Sequence, residues 1–147
     1  MFPTHLAVER QAESLLKGRG PRQTGPRKRV LMFLLEQDCA VTRMDILNRM
    51  QGERVGSATL HRVLAWLTIN GLAHRIACAD QSLRFSANRQ ARQHEHAHFQ
   101  CMQCGSVICL PEVTLPANVA MPPGFRGHEI DFLVKGICPR CDRNEQP

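Results

Sequence analysis

The sequence predicts an α+β fold with two domains: an N-terminal winged helix-turn-helix domain and a small C-terminal α/β domain with a four-cysteine zinc site. Helical segments followed by two short strands occupy the first half, two Cys-x-x-Cys pairs occur in the second half, and a polar, unpatterned stretch separates the halves. The predicted boundaries are residues 1–87 for the first domain, 88–93 for a hinge and 94–147 for the second domain.

Composition limits the kind of protein this can be. The chain has 147 residues, of which 43% are hydrophobic, and this suits one medium domain or two small ones. No apolar run reaches the length of a membrane span and no signal sequence is present, so we expect a cytoplasmic protein without a membrane partner. In that compartment the seven cysteines are more often metal ligands than disulfide partners.

The net charge of +6 lies entirely in the first half. Residues 1–87 hold 13 of the 19 lysines and arginines but only 7 of the 13 acidic residues, and the rest of the chain is balanced. This excess favours a polyanion as the partner of the first domain, with an ordinary solvated surface as the alternative.

The first helix is predicted to begin after Thr4, which would act as its N-cap, and to end near Gly18. Its apolar positions fall loosely on one face, and they are Leu6, Ala7, Ala12, Leu15 and Leu16. A second helix is expected from about Pro26 to Gln37, with a wide apolar face made of Val30, Leu31, Phe33, Leu34 and Leu35. Thr42 and Asp45 form a capping-box pattern that opens a third, shorter helix.

A basic stretch without acidic residues leads into the second helix. Residues 19–29 contain five cations, Arg19, Arg22, Arg27, Lys28 and Arg29. The free N–H groups of a helix's first turn and neighbouring arginines both attract phosphate. We therefore expect Arg22, Arg27 and Lys28 to contact the backbone of a nucleic acid.

The most informative helix of the first half is predicted at 58–70, with Ser57 as its N-cap and Gly71 in the C′ position. Three- and four-residue spacing places its core face at Leu60, Val63, Leu64 and Leu67. In a helix-turn-helix the N-terminal end of the second helix reaches base edges. The expected DNA-reading residues there are Ser57, Thr59, His61 and Arg62.

Five short strands complete the predicted fold. Residues 72–76 and 83–86 read as a hairpin wing around the turn at 79–81. The small sheet of the second domain is expected at 97–101, 107–110 and 130–135. Any helix in the proline-rich segment between the last two strands must be short.

The paired cysteines are the strongest chemical signal. Two residues between cysteines let a tight turn point both sulfurs at one ion, and a second pair completes a tetrahedron. We expect Cys101, Cys104, Cys138 and Cys141 to share a structural zinc, against the alternatives of a redox dithiol or unrelated thiols. The two isolated cysteines, Cys39 and Cys78, are expected to be packing residues.

A histidine cluster precedes the first cysteine pair. His94, His96 and His98 alternate along a predicted strand, so their side chains share one face. Such a face is suited to metal binding, with a solvated histidine patch as the alternative.

These segments together resemble the ferric uptake regulator (Fur) family over nearly the whole chain. Residues 55–64, Val-Gly-Ser-Ala-Thr-Leu-His-Arg-Val-Leu, and the following Asn70-Gly71-Leu72 resemble the family's recognition helix, G-x-A-T-V-Y-R-x-L … G-L. The histidine cluster leading into Cys-x-x-Cys-Gly-x-Val and the late Cys-x-x-Cys resemble its metal-binding and dimerisation domain. The resemblance implies a homodimeric, metal-sensing transcription factor, usually a repressor, on double-stranded operator DNA, with a structural zinc and a regulatory metal at the hinge.

The resemblance also implies roles for individual residues. The four paired cysteines match the structural zinc ligands, and His96 and His98 match the paired hinge histidines. His74 and His94 look like ligands of the zinc uptake regulator (Zur) subgroup, and Cys109 stands where relatives often place a glutamate. The implied regulatory set is His74, His94, His96, His98 and Cys109.

The sequence also departs from the family pattern. His61 replaces the usual tyrosine of the recognition helix, Ser86 stands where iron sensors place a carboxylate, and Cys39-Ala40 replaces the usual histidine before the third helix. A thiol in place of a carboxylate makes the regulatory site softer. Zinc is therefore the favoured regulatory metal, with iron as the alternative.

Two other classes of zinc protein share parts of this pattern. A zinc-dependent nucleobase deaminase needs His-x-Glu and Pro-Cys-x-x-Cys, whereas here Glu95 directly follows His94 and Cys138 precedes Pro139. Four thiolates would also leave zinc no open position for water, so no enzyme and no small-molecule substrate are expected. A zinc-ribbon module that binds nucleic acid or protein without sensing metal is the remaining alternative.

Overall fold

The computed structural model describes residues 4–19, 25–89, 96–116 and 118–144, which form two three-stranded sheets and their helices. The elements in chain order are α1 His5–Leu16, α2 Gly25–Glu36, β1 Val41–Thr42, α3 Arg43–Met50, a 3-10 turn Gln51–Glu53, α4 Ser57–Ile69, β2 Ala73–Ala77, β3 Leu83–Ala87, β4 His96–Cys101, β5 Val107–Thr114, β6 Leu133–Gly136 and α5 Pro139–Asn144. The predicted α+β class is confirmed. We call α1 to β3 the N-terminal domain and β4 to α5 the C-terminal domain.

The first helix buries only part of the predicted face: Ala12 and Leu16 are buried and Leu15 packs partly against the core. Its buried residues are Val8, Ala12 and Leu16, which recur at intervals of four and form one stripe. The prediction that Leu6 and Ala7 lie on the core face is wrong, because both side chains are exposed, Leu6 to 65%. Thr4 occupies the N-cap position with extended backbone, but its side chain makes no capping bond.

The core of the N-terminal domain lies where α1, α2 and α4 meet the sheet. The predicted core face of α4 is confirmed, since the four residues predicted to form it are all buried. Helix α2 buries four of its five predicted residues, and Phe33 is only partly buried. Burial of these side chains contributes on the order of 2 kcal/mol each relative to exposure.

The ends of the two central helices are determined locally. Thr42 and Asp45 form the predicted capping box: Thr42 Oγ1 accepts a hydrogen bond from the Asp45 N–H at 3.1 Å, and Asp45 accepts one from the Thr42 N–H at 2.9 Å. The N-cap of α4 is Gly56, whereas Ser57 is the first helical residue, so the predicted cap was one residue late. Gly71 ends α4 with a φ of +69°, in the left-handed region that favours glycine.

The wing contains a strand that periodicity does not reveal. Strands β2 and β3 form the predicted antiparallel hairpin, with His74 opposite Ser86. The two-residue strand β1 then pairs with β3 and gives the order β1-β3-β2. Strand β1 is too short to show any alternation, so only the folded chain reveals it.

The C-terminal sheet has the order β5-β4-β6, with β4 antiparallel to β5 and parallel to β6. Strand β5 continues through Pro111 to Thr114, which an edge strand tolerates. Strand β6 begins at Leu133, three residues later than predicted. The short helix α5 was not predicted, although Pro139 as its first residue suits a helix start.

Some predictions fall outside the described residues. These are Arg22, His94 and positions 90–93 of the hinge. Among the described helices, none combines the length and apolarity that crossing a membrane would require.

Candidate metal centres

The four paired cysteines converge at one end of the C-terminal sheet. Cys101 ends β4, Cys104 lies in the following turn, and Cys138 and Cys141 lie at the start of α5. Their sulfur atoms all lie within 4.8 Å of one another. The sulfurs of Cys104 and Cys138 are 3.8 Å apart.

Short backbone bonds shape this thiol cluster. The Gly105 N–H donates to the Cys101 carbonyl at 3.0 Å, and Gly105 has a φ of +77°, which closes the turn between the first two cysteines. The Cys138 N–H donates to the sulfur of Cys101 at 3.4 Å, and so connects the two pairs. Such N–H bonds stabilise negative charge on sulfur.

The electrostatics of the cluster differ between its members. A hydrogen bond from the Ser106 hydroxyl, aided by its backbone and by Arg140, lowers the pKa of Cys104 to about 5. Burial and neighbouring thiols raise the pKa of Cys141 to about 12. Without a cation, ionisation of one thiol in the cluster therefore disfavours ionisation of its neighbours.

The thiol cluster fits a zinc ion. With zinc–sulfur bonds of about 2.3 Å, sulfurs at the corners of a tetrahedron are about 3.8 Å apart. The Cys104–Cys138 separation matches this value. Zinc bound by these four cysteines would have no open coordination position.

A second cluster joins the two domains. Its members are His74 on β2, His96 and His98 on β4, and Cys109 on β5, and their ligand atoms lie within 4.8 Å of one another. The Nε2 atoms of His74 and His98 are 3.2 Å apart, and the sulfur of Cys109 is 3.5 Å from His74 Nε2. We call these four residues the His-Cys cluster.

Strand register produces the C-terminal part of this cluster. His98 lies directly opposite Cys109 in the β4–β5 pair, which brings the two side chains together. His96 lies two residues before His98 on β4 and so shares its face of the strand. The pairing of β4 with β5 shifts its register between His96 and Ala97. His74 reaches the cluster from the wing, where its strand faces the C-terminal sheet.

Two members of the His-Cys cluster are buried and two are half-buried. His74 is 5% exposed and His98 is 3% exposed. Burial lowers the pKa of His96, so its imidazole stays neutral to lower pH, whereas burial raises the pKa of the Cys109 thiol. Neutral imidazole is the form that binds metal, but the thiol must lose its proton first.

The His-Cys cluster also fits a tetrahedral zinc ion. Zinc bonds of about 2.0–2.1 Å to nitrogen and 2.3 Å to sulfur place nitrogens about 3.3 Å apart and nitrogen about 3.6 Å from sulfur. The separation of 3.2 Å between the His74 and His98 nitrogens and that of 3.5 Å between His74 Nε2 and the Cys109 sulfur agree with this shape. Of the five predicted regulatory ligands, the structure brings four together, and His94 lies outside the described residues.

Asn88 is a functional neighbour that the sequence did not reveal. Its Oδ1 lies in hydrogen-bonding contact with Nδ1 of His74, and its Nδ2 donates to the Gly71 carbonyl at 2.9 Å. When Nδ1–H of His74 donates to this oxygen, Nε2 is left as the lone-pair atom that faces the cluster. In the sequence, Asn88 belongs to the polar stretch at 88–93. That composition predicts a hinge, but it does not indicate that one of its residues contacts a metal-binding histidine.

The predicted DNA-reading residues lie at the start of α4. Ser57, His61 and Arg62 are exposed there, as expected, whereas Thr59 is half-buried. Arg43, which the sequence did not single out, donates to the Ser57 hydroxyl from α3. A groove of about 860 Å³ beside His61 separates α4 from the wing.

The cations that open helix α2, in the described part of the basic stretch at 19–29, have partners within the protein. Lys28 forms ion pairs with Glu9 at 2.8 Å and Glu13 at 2.7 Å. The Arg27 guanidinium lies 4.0 Å from the ring centre of Trp66, a cation–π contact. Phosphate contact by Arg27 and Lys28 stays a prediction, although an aromatic ring of α4 and two acids of α1 already contact these side chains.

Comparison with known proteins adds independent information. The sequence profile of the Ferric uptake regulator family matches residues 18–118. The ferric uptake regulation protein of Shigella flexneri is 31% identical over 136 residues, covering 88% of this chain and 90% of that protein.

Solved structures show the same fold. A zinc uptake regulator complexed with zinc and DNA has a TM-score of 0.68 at 23% identity, covering 99% of each chain. The Helicobacter pylori ferric uptake regulator, described as having three functional metal binding sites, has a TM-score of 0.60 at 16% identity and covers 99% of this chain and 98% of that one.

Proposed function

The chain belongs to the ferric uptake regulator family of metal-responsive transcription regulators, and on this premise we propose that it is a zinc-dependent repressor of metal uptake genes. The observation that supports the proposal best is the His-Cys cluster, in which the wing supplies one side chain and the C-terminal sheet supplies three. A metal held there would join the DNA-binding half of the chain to the other half.

The preference for zinc rests on the donor atoms. The His-Cys cluster consists of three imidazoles and one thiol, with no carboxylate among its four members. Imidazole and thiolate suit zinc, whereas harder ions such as Fe²⁺ and Mn²⁺ gain more from carboxylate oxygen. An iron- or peroxide-sensing member of the same family is the alternative.

The proposed switch is a clamp between domains. With His74 in place the metal has four protein ligands, and with the wing moved away it has only three. Zinc therefore favours the closed arrangement by the difference in its affinity for the two states. In a dimer this would set the distance between two recognition helices, which must match the spacing of operator half-sites.

The thiol cluster is proposed to hold a structural zinc. We propose that the DNA-binding domain comprises residues 1–87, that the hinge comprises residues 88–93, and that the metal-binding and dimerisation domain comprises residues 94–147. With all four zinc positions taken by cysteines, and a second ion similarly enclosed, neither centre offers a place for a substrate. A role in catalysis is therefore not proposed.

The proposed partner of the N-terminal domain is double-stranded operator DNA. Exposed His61 and Arg62, with Ser57 and Thr59 beside them, lie where a recognition helix reads the major groove. Arg22, outside the described residues, is proposed as a phosphate contact, with Arg27 and Lys28 in a secondary role.

A homodimer is proposed from the surface of the C-terminal domain. Its large apolar side chains are widely exposed, including Val113, Met121, Phe125, Ile130, Phe132, Val134 and Ile137. Apolar patches of this kind mark protein–protein interfaces. A second copy of the chain is the partner that the family membership favours.

The proposal is tested by removing two members of the His-Cys cluster. A consensus duplex would first be selected from a randomised pool with zinc-loaded protein, and its affinity followed by fluorescence anisotropy against free zinc. His96→Ala combined with Cys109→Ala should abolish zinc-dependent binding, while the thiol-cluster zinc, the fold and weak non-specific DNA binding persist.

A matched control removes the same residue types elsewhere. Cys39→Ala combined with His128→Ala lies outside both clusters and should leave the zinc response intact. If the first variant still switches at wild-type zinc concentrations, the regulatory site has been misplaced. Cys78 and Glu112 then become the next candidates, joined by Cys39 and His128 if the control variant has lost the zinc response.

A further inference from the structure

Strand β4 turns a third polar side chain toward the wing. His96, His98 and Gln100 alternate along the strand and so share one face. The two histidines belong to the His-Cys cluster, but Gln100 does not. Gln100 is nevertheless only 4% exposed, and a buried amide requires a specific partner.

The partner of Gln100 belongs to the other domain. Oε1 of Gln100 accepts a hydrogen bond from the backbone N–H of Ala79 at 2.8 Å. Ala79 lies in the turn of the wing, between β2 and β3. This bond connects the wing directly to the strand that carries two metal-binding histidines.

Other contacts around this bond also join the two domains. The Ala40 N–H donates to the Val107 carbonyl at 2.8 Å. Ala40 and Val107 form a small buried apolar cluster with Ile76 and Cys78 of the wing. None of these contacts involves a residue of either ligand cluster.

We propose that Gln100 is a positioning residue: its bond to Ala79 latches the wing against the C-terminal sheet without metal and presents His74 to the His-Cys cluster. This inference rests on the proposed zinc-sensing function. Beyond that function, the inference states that the Gln100–Ala79 bond holds the wing against the C-terminal sheet before zinc binds to the His-Cys cluster.

The location of Gln100 explains how such a latch can work. It lies one residue before Cys101, whose place is set by the thiol cluster, and two residues after His98. A zinc held by the thiols would therefore fix the end of β4 and, through it, the position of the Gln100 amide. The apparent zinc affinity equals the affinity of the closed form multiplied by the fraction of molecules that are closed. A latch that increases this fraction should therefore raise the apparent zinc affinity.

The test compares Gln100→Leu with Gln103→Leu. Both changes replace glutamine by leucine, but Gln103 is exposed on the turn of the thiol cluster. Gln100→Leu removes the side-chain oxygen that accepts the Ala79 N–H bond, whereas the control keeps the latch. Each variant is studied as the full chain, with metal content measured to verify that the tightly held zinc is retained.

Two measurements decide the outcome. In Gln100→Leu, regulatory zinc affinity, measured by competition with a chromophoric chelator, should fall about tenfold relative to the control. Hydrogen exchange of the Ala79 amide, followed after mild chelation of the loosely held zinc, should accelerate about tenfold. If Gln100→Leu does not fold, Gln100→Asn, which keeps the amide but shortens its reach, should show the same two changes.

Either measurement can overturn the inference. Ala79 exchange within twofold of the control would show that the bond does not hold the wing. Faster exchange with unchanged zinc affinity would show that the bond has no positioning role. A wild-type chain that binds no second zinc would instead contradict the proposed function, and Ala79 exchange would then decide the latch alone.

Discussion

Cys104 and Cys109 both belong to ligand clusters of the C-terminal domain, but the pKa values of their thiols shift in opposite directions. Hydrogen bonds from Ser106, with help from Arg140, lower the pKa of Cys104 to about 5. Burial raises the pKa of Cys109, against weaker opposition from Ser86 and Arg89. Cys104 is thus a thiolate at neutral pH, whereas Cys109 must release a proton when metal binds.

Zinc affinity of the regulatory site should consequently rise with pH. Between about pH 7 and 8.5, above the ordinary histidine pKa of about 6.5 and below the raised thiol pKa, the dissociation constant should fall about tenfold per pH unit, because one proton leaves for each zinc bound. Competition with a chromophoric chelator at several pH values measures this slope.

Cys109→Asp provides the matched comparison. Its carboxylate is already ionised in this range, so the slope should flatten, and the site should shift its preference toward Fe²⁺ and Mn²⁺. A wild-type slope in the aspartate variant would mean that Cys109 is not the residue that releases the proton.

At the scale of elements, helices α2 and α4 differ in whether their basic side chains are paired within the protein or exposed to solvent. Helix α2 opens with three consecutive cations, Arg27, Lys28 and Arg29. The acids of α1, the Trp66 ring of α4 and Glu53 of the 3-10 turn are their partners. Helix α4, by contrast, presents His61 and Arg62 to solvent. The element best placed to contact DNA is therefore α4.

This difference between helices predicts two salt dependences. Arg62→Ala should weaken binding to all duplex sequences and reduce the slope of log affinity against log salt by about 1 if Arg62 contacts phosphate. Lys28→Ala should reduce that slope by less than Arg62→Ala does, because Lys28 already forms ion pairs with Glu9 and Glu13. Anisotropy titrations at several salt concentrations measure both, and an equal loss of slope in the two variants would place α2 on the DNA.

At the scale of the whole molecule, the two domains differ in how they are held together. The main apolar core is formed entirely by residues of the N-terminal domain, from Val8 to Phe85. The C-terminal domain buries little apolar surface in the described residues, with Ala97 and Val107 as its fully buried aliphatic side chains. A domain without a sufficient core needs a metal or a partner subunit for stability.

Cys138→Ser should therefore release the structural zinc and unfold the C-terminal domain, because binding of a structural zinc is coupled to folding. Metal analysis should show the loss of one zinc, and sedimentation should show the loss of the dimer. Cys39→Ser, which changes a half-buried cysteine outside the thiol cluster, should retain both. A normally folded, zinc-replete Cys138→Ser variant would contradict the assignment of this centre.

Local patterns in the sequence determined much of this protein. The capping box at Thr42, the left-handed glycine at Gly71 and the buried stripe of α4 were all predicted, because near neighbours along the chain decide caps and helix faces. The spacing of the cysteines was sufficient to predict that they converge, which the structure confirms as geometry.

Only the tertiary structure decided the pairings between distant segments. It placed Asn88 beside His74, paired Lys28 with the acids of α1 and placed Gln100 against Ala79. That His74 of the wing meets Cys109 was implied by the family resemblance, but not by local spacing. None of these contacts follows from local spacing, because each depends on the register of a sheet or on how two domains close. Short-range geometry is encoded within a few residues, whereas these contacts depend on how the whole chain packs.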